Sequence, residues 1–390
     1  MSFKIYNHIP KVVKKLNNIV VQSGKGCWVT DIYNKKYLDM TAGIGALSTG
    51  HSHPNIIKAI NDQSKRIIHA QQNCFFSHQS QIDLTKKLLS IMPSGLDTFF
   101  YVNSGSEATD NSIKIARQFT KKPNIIAFNE GFHGRTLGAM SLTSSKLAYR
   151  SGCSPLLGGV HICKPDKESL DYIFEYISSY NETAAIIIEP ILGEGGIKLI
   201  DSDFLKYIRK IASDNNILLI IDEVQTGAGR TGKWWASQDI VKPDIMTFAK
   251  GIASGFPFAG LVTTNEIING SSPNMLGGTY GGNALGSAVA LATINTIQEE
   301  NLIENAIIQG NKIKRELDKI DEIIEVRQYG LMIAIDLKNK KKINNILKQL
   351  TDKGILVLLC GDNSIRLLPP LIINDNEVNI FLDTFSKIIK

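Results

Sequence analysis

The sequence predicts an α/β protein, with a large domain around a mostly parallel central sheet and a smaller α+β domain drawn from both chain ends. Three observations carry this expectation. From about residue 98 the runs "TFFYVN", "NIIAFN", "AAIIIEP", "ILLIIDE" and "DIMTFAK" recur between helical or loop segments, and continuous apolar strands alternating with helices imply a parallel sheet covered on both faces. Polar residues gather where these runs end: Asn103 to Glu107, Asn129 to Arg135, Glu189 to Glu194, Asp222 to Gln225 and Lys250. After the small-residue stretch "GNALGSAVALATINTIQEENL" the pattern changes to the runs "LMIAIDL", "ILVLLC" and "SIRLLPP" and a closing amphipathic helix. The expected division is an N-terminal segment over residues 1–45, a large domain over 46–290 and a C-terminal small domain over 291–390.

In order along the chain, "KGCWVTDIYNKKYLDM" reads as two short strands about a turn at Asn34, a residue type that tolerates a left-handed backbone. This hairpin is expected to pack with the C-terminal unit. "PNIIKAINDQSKRIIHA" spaces Ile56, Ile57, Ile60, Ile67 and Ile68 as one amphipathic helix. "VNSGSEATDNSIKIARQF" passes from a strand through Ser104, Gly105 and Ser106 into another helix, whose free N–H groups and hydroxyls suit a phosphate, although Ser104 and Glu107 also match a simple capping box. In "GFHGRT", Phe132 and His133 offer rings that can stack on an aromatic cofactor, with Arg135 two residues on. Read alone, these are also a core aromatic and a surface salt bridge.

Composition excludes several classes. Lysines are scattered along helical stretches rather than gathered in blocks, the pattern of a solvated surface rather than a nucleic-acid footprint. No stretch reaches the ~18 apolar residues of a membrane span, and the opening residues lack an apolar signal core, so the expected location is cytoplasmic. Five widely spaced cysteines, an odd number without a C-x-x-C pair, agree with a reducing compartment. His51 and His53 stand in a turn before Pro54 without a complete ligand set, so no metal is expected.

The stretch "LLIIDEVQTGAGRTGKWW" imitates two nucleotide motifs. A dinucleotide fingerprint needs its glycines on a turn leading straight into a helix, but "KWWASQDIVKPD" makes a poor helix. A triphosphate loop needs serine or threonine where Trp234 stands. What remains is an acid at a strand end, Asp222, and a lysine at the end of the next strand, Lys250. A desolvated lysine can act as nucleophile and base, and an acid against a pyridine nitrogen keeps it protonated. Singly, each also reads as a loop cap or a surface lysine.

The ordered stretches "GIGALSTGHSHP", "VNSGSEA", "GFHGRT", "IIIEPILGEGG", "IIDEVQTGAGRTGKWWA", "PDIMTFAKGIASGFP", "GGTYGGNALG" and "IRLLPPL" resemble the class III (ω-type) aminotransferases of the fold-type I pyridoxal-phosphate family over nearly the whole chain. Within that family the sequence resembles 4-aminobutyrate aminotransferases most, then acetylornithine and ornithine aminotransferases. The resemblance implies pyridoxal 5'-phosphate as cofactor and a homodimer with shared active sites as the functional unit. It implies that Lys250 bonds to the cofactor and shuttles a proton, that Asp222 pairs with the ring nitrogen, and that Gln225 bonds the ring oxygen. Phe132 and Val224 are expected to flank the ring, with His133 beside it. Gly105 and Ser106 are expected to hold the phosphate with Thr279 supplied by the other subunit. For substrates it implies Arg135 as a carboxylate grip and Arg366 as a switch held by Glu194. Ile44 matches the apolar residue of the 4-aminobutyrate group, where ornithine aminotransferases carry tyrosine. The implied reaction moves an amino group from an ω-amino acid to a 2-oxo acid, with 2-oxoglutarate expected. Alternatives are an acetylornithine-type activity or, less favoured, an aminomutase or racemase on the same scaffold.

Overall fold

The structure is a computed structural model and describes residues 16–72 and 76–389. The N-terminal stretch read above for targeting and Cys74 lie outside the described residues. Strands β1 (Val21–Lys25), β2 (Trp28–Asp31) and β3 (Lys36–Asp39) form an antiparallel meander. The turn between β2 and β3 places Asn34 at φ 64°, and the Asp31 carboxylate accepts the Tyr33 and Lys35 N–H groups, each at 2.9 Å. The following helix, Pro54–Ser64, is shorter than its isoleucine spacing predicts. Ile67 and Ile68 fall outside it, because Gln63 Nε2 donates to the Ile67 carbonyl and the Leu285 N–H takes the Ile68 carbonyl, drawing the chain toward a later helix.

The large sheet contains β4 (Thr98–Val102), β5 (Asn124–Phe128), β6 (Val160–Cys163) and β7 (Thr183–Ile188). A short hairpin, β8 (Ile191–Leu192) with β9 (Lys198–Leu199), follows, and then β10 (Leu218–Asp222), β11 (Ile245–Phe248) and β12 (Ala259–Thr263) complete the sheet. Its order is β4-β12-β11-β10-β7-β5-β6, with β12 alone running against its two neighbours. The two-residue period of a strand sorts its side chains onto opposite faces. Ile125, Ala127, Ala185, Ile187 and Ile220 pack under the helix Gly105–Thr120, while Ile126, Phe128, Ile186, Ile188 and Ile221 pack against helices Lys167–Tyr176 and Ser202–Asp214. Both faces being covered explains why these strands read as unbroken apolar runs.

Helix Ala284–Glu299 passes through residue 290 without a break. Val289, Ala290 and Ile294 join the core around helices Pro54–Ser64 and Gln79–Leu89, whereas Ile297 joins the C-terminal core. The division read from the sequence thus falls inside an element that serves both cores. Beyond it, β13 (Ile323–Tyr329), β14 (Met332–Leu337), β15 (Ile355–Leu356), β16 (Leu358–Cys360) and β17 (Ser364–Leu367) precede the final helix Asp375–Ile389. Four of them form a sheet in the order β13-β14-β17-β16, while β15 leaves it to pair in parallel with β3, Ile355 opposite Leu38. Leu38 and Met40 enter the same core as Ile335, Ile365, Phe381 and Phe385.

The glycine stretch after β10 is a run of turns, not a helix. Buried Glu223 fixes it by accepting the Ala236 and Ser237 N–H groups at 3.1 and 2.8 Å, the Ser237 hydroxyl at 2.7 Å and the Thr226 hydroxyl. The glycines answer to packing. A Cβ at Gly227 would lie 2.5 Å from the Trp235 ring, and one at Gly232 would lie 2.6 Å from Ile307 in a backbone with φ +84°. Arg230 within the same stretch donates to the carbonyls of Leu331 and Pro369, tying it to the C-terminal part.

Candidate active site

In a parallel sheet, ligands collect beyond the carboxyl ends of the strands. The residues following β4, β5, β7, β10 and β11 meet there around a cavity of about 310 Å³. Of the sequence-derived candidates, Gly105, Ser106, Phe132, His133, Asp222, Val224, Gln225 and Lys250 all line it. Ile44, Arg135, Glu194, Thr279 and Arg366 are not among its lining residues. Arg366 still reaches its edge, donating from Nη1 to Gln225 Oε1 at 3.4 Å. Arg135 is tied to it by its own N–H, which donates to Ser106 Oγ at 3.2 Å. Ile44 is 45% exposed, two residues from the lining residue Ala46, and Thr279 is exposed.

Asp222 ends β10 in a fixed orientation. Its Oδ1 accepts the Val224 N–H at 3.0 Å and the Thr247 hydroxyl at 3.1 Å, the latter from the residue paired with it on β11. His133 Nδ1 donates to Asp222 Oδ2 at 2.8 Å. Burial disfavours the imidazolium, yet the Asp222 hydrogen bond and charge, helped by the Glu189 charge, hold the His133 pKa above its ordinary value. His133 therefore serves the acid as its hydrogen-bond partner, and Phe132 lines the same cavity. Phe132 is fixed in turn by its N–H, which donates to Glu189 Oε1 at 2.8 Å, and by an edge-on contact with Tyr149 at 5.5 Å. Burial pushes the Glu189 carboxyl up to about 7, against the pull of His133 and with the push of Asp222.

Lys250 follows β11 with φ 46°, a left-handed backbone costing roughly 1–2 kcal/mol for a residue with a side chain. The neighbouring Gly251 must stay bare, since a Cβ there would lie 2.4 Å from Ser48 Oγ. The side chain opens partly to the cavity but lies deep in the protein. Burial lowers its pKa; Glu189, Glu194 and Asp222 oppose that shift and Arg366 adds to it. The result is an amine more easily neutral than an ordinary lysine, placed in the same cavity as a fixed carboxylate.

These residues fit pyridoxal phosphate. The helix Gly105–Thr120 opens beneath the cavity, with the Ser104 side chain accepting the Glu107 N–H at 3.3 Å and the first-turn N–H groups of Gly105 and Ser106 available to an anion. Gly105 must stay bare, because a Cβ would lie 2.9 Å from Val224 Cγ1. Gly134 is equally confined, at φ +141° and 2.3 Å from Ser106 Oγ at its missing Cβ. The cavity thus brings together a helix N-terminus, the side chains of Phe132 and Val224, an acid and a lysine.

A second group of charges lies beside the cavity. Arg366 on β17 meets Glu194 Oε1 at 2.6 Å, both side chains nearly buried, and donates to the Gly193 carbonyl at 3.1 Å. Its Nε has no acceptor among the described residues. Arg135 stacks its guanidinium 4.4 Å from the Tyr149 ring. Glu189, Thr247, Lys146 and Tyr149 received no role from the sequence. For Glu189 the available signal was an acid closing an apolar strand; the others carry no local pattern. His51 bonds Asp39 at 2.8 Å and His53 meets Glu300 at 3.1 Å, so each serves a carboxylate.

Comparison with known proteins agrees with this geometry. The sequence model of the family Aminotransferase class-III matches residues 10–389. An acetylornithine aminotransferase from Methanosarcina mazei is 37% identical over 95% of this chain and 91% of its own length. The 4-aminobutyrate aminotransferase GabT of Escherichia coli is 36% identical over 97% of this chain and 95% of its own. Among solved structures, a transaminase from the marine bacterium Virgibacillus superposes with a TM-score of 0.92 at 28% identity, covering 98% of this chain and 96% of that one.

Proposed function

Because the chain belongs to the class-III aminotransferases, enzymes that depend on pyridoxal phosphate, we propose that it transfers an amino group from an ω-amino acid of the 4-aminobutyrate type to 2-oxoglutarate. The observation that carries this reading is the closed Glu194–Arg366 pair beside Lys250. With Arg366 neutralised, the pocket suits a donor whose carbon next to the reacting nitrogen bears no carboxylate. Such a donor places its distant carboxylate on Arg135, where a planar guanidinium offers two parallel hydrogen bonds. An oxo acid carries a carboxylate beside its reacting carbon and draws Arg366 away from Glu194. One pocket thereby serves two differently charged substrates in turn.

Bound pyridoxal phosphate supplies an aldehyde that exchanges amine partners and a protonated ring that accepts electron density from the amine-bearing carbon. The chain's own residues do the rest. Gly105 and Ser106 would hold the phosphate, and Phe132 and Val224 would confine the ring. Asp222, oriented by Val224, Thr247 and His133, would set its carboxylate against the ring nitrogen. Gln225, which lines the cavity, would bond the ring oxygen. Lys250 would take a proton from the amine-bearing substrate carbon and return it on the far side of the nitrogen, two bonds away, a task suited to an amine whose charged form burial disfavours.

Thr279 is exposed and does not line its own cavity, which supports a homodimer in which Thr279 of the partner subunit would complete the phosphate cradle. Cys27, Cys153, Cys163 and Cys360 are free thiols, which supports a reducing, cytoplasmic setting. The near-equal identity to the acetylornithine and 4-aminobutyrate enzymes favours a second reading, N-acetylornithine as donor through the same Arg135 contact. Purified holoenzyme given 2-oxoglutarate with each donor separately decides between them. Glutamate from 4-aminobutyrate supports the first reading; glutamate from N-acetylornithine alone replaces it with the second.

A further inference from the structure

Glu194 has two cations, not one. Its Oε1 meets Arg366, while its Oε2 faces Lys146 Nζ at 3.9 Å, and among the described residues these are the two cations within ion-pair distance. The surroundings of the pair differ. Arg366 is buried at 3% side-chain exposure, and its backbone is locked in β17 between Ala334 of β14 and Leu358 of β16. Lys146 is 37% exposed and sits at the start of the short turn Leu147–Tyr149, its ammonium 5.8 Å from the Tyr149 ring that also carries Arg135. The Glu194 backbone is itself fixed, since its carbonyl accepts the Gly361 N–H at 2.8 Å. The carboxylate therefore lies between a confined guanidinium and an ammonium on a flexible stem.

The proposed function requires Arg366 to leave Glu194 whenever a carboxylate arrives beside the reacting carbon. A nearly buried carboxylate left without a cation is strongly disfavoured, so the departure needs a replacement. We propose that Lys146 is this replacement: a specificity-determining residue that takes over Glu194 when Arg366 turns to the oxo acid, and so sets how readily the site accepts that substrate. The idea rests on the switch reading of Arg366 and Glu194 given above. Lys146 is a positioning residue here, because it touches neither cofactor nor substrate and acts through Glu194. A compact ammonium with rotatable donors suits this exchange better than a rigid fork would.

The two half-reactions of the holoenzyme, followed separately by cofactor absorbance, test it. In Lys146→Met the KM for 2-oxoglutarate should rise about fivefold, the scale of one partly exposed ion pair, while kcat and the KM for the ω-amino donor (4-aminobutyrate or N-acetylornithine, as identified above) stay within about twofold. Lys146→Arg should restore the 2-oxoglutarate value in large part, and Lys146→Met should add nothing in a Glu194→Gln background. Glu194→Gln alone separates the two ideas, since freeing Arg366 should lower the KM for 2-oxoglutarate and raise that for the donor. If Glu194→Gln shifts that balance and Lys146→Met does not, the role of Lys146 is overturned and the switch stands. If Glu194→Gln leaves the balance unchanged, both fall together.

Discussion

Substituting Gly105 by alanine should damage cofactor binding while sparing the fold. The added Cβ would lie 2.9 and 3.0 Å from the two γ-carbons of Val224, roughly 0.6 Å inside the ~3.5 Å at which carbon atoms pack comfortably. Overpacking of this kind costs about 1–3 kcal/mol. Gly105 opens a helix and its backbone is not left-handed, so alanine there also returns roughly 0.5–1 kcal/mol of helix preference. Val224 can relieve the overlap by moving into the cavity it lines, which passes the cost to the cofactor. Pyridoxal phosphate should then bind about 5- to 150-fold more weakly, while the apoprotein melts within a few degrees of wild type. Titration of apoprotein with pyridoxal phosphate, beside thermal melts, reads both quantities. The double variant Gly105→Ala, Val224→Ala should bind better than the two single effects combined predict, because the colliding methyls are gone. An unchanged affinity in Gly105→Ala, or strictly additive singles, would refute the proposed confinement of the ring by Val224.

Two further outcomes follow from the same cavity. Lys250→Ala should fold and lose turnover by about 10⁴-fold or more, with no borohydride-trapped cofactor on the protein by mass spectrometry; the Lys250→Gly apoprotein should be more stable than Lys250→Ala by about 1 kcal/mol, because glycine accepts φ 46° freely. Folding raises the His133 pKa above its ordinary 6.5, so the imidazolium contributes stability below that value and loses it as pH climbs through the raised one. The deficit of His133→Asn in denaturant unfolding of apoprotein, about 1–3 kcal/mol at pH 6, should therefore shrink as pH rises through the raised pKa. A deficit that grows with pH would contradict the charged His133–Asp222 pair.

The five apolar runs read from the sequence became β4, β5, β7, β10 and β11 because both faces of their sheet are covered, and uninterrupted hydrophobicity is the trace that such burial leaves. The strand β12, running antiparallel between β4 and β11, carries no signal of its direction, since pairing sense is set by partners far away in the chain. The Pro54–Ser64 helix was overextended for a related reason: Ile67 and Ile68 fit the helical period, but a contact to residue 285 claims that stretch. In the site, Lys250, Asp222 and the Ser104–Ser106 corner were legible because each stands at the end of a recognisable strand. Glu194 and Arg366 drew roles only from family likeness. Lys146 and Tyr149 belong to a single short helical turn, too brief for a spacing rule to apply, and only folding brings them to Glu194 and Arg135.

The parallel pairing of β3 with β15 imposes an order of events on biosynthesis. Leu38 leaves the ribosome 317 residues ahead of Ile355, its partner across that ladder, a delay of roughly 15–60 s at ordinary elongation rates. Throughout that interval the early meander has an open edge and a bare apolar face that the finished molecule hides. Translation speed and chaperone supply should therefore govern the yield of this protein more than the strength of its completed core.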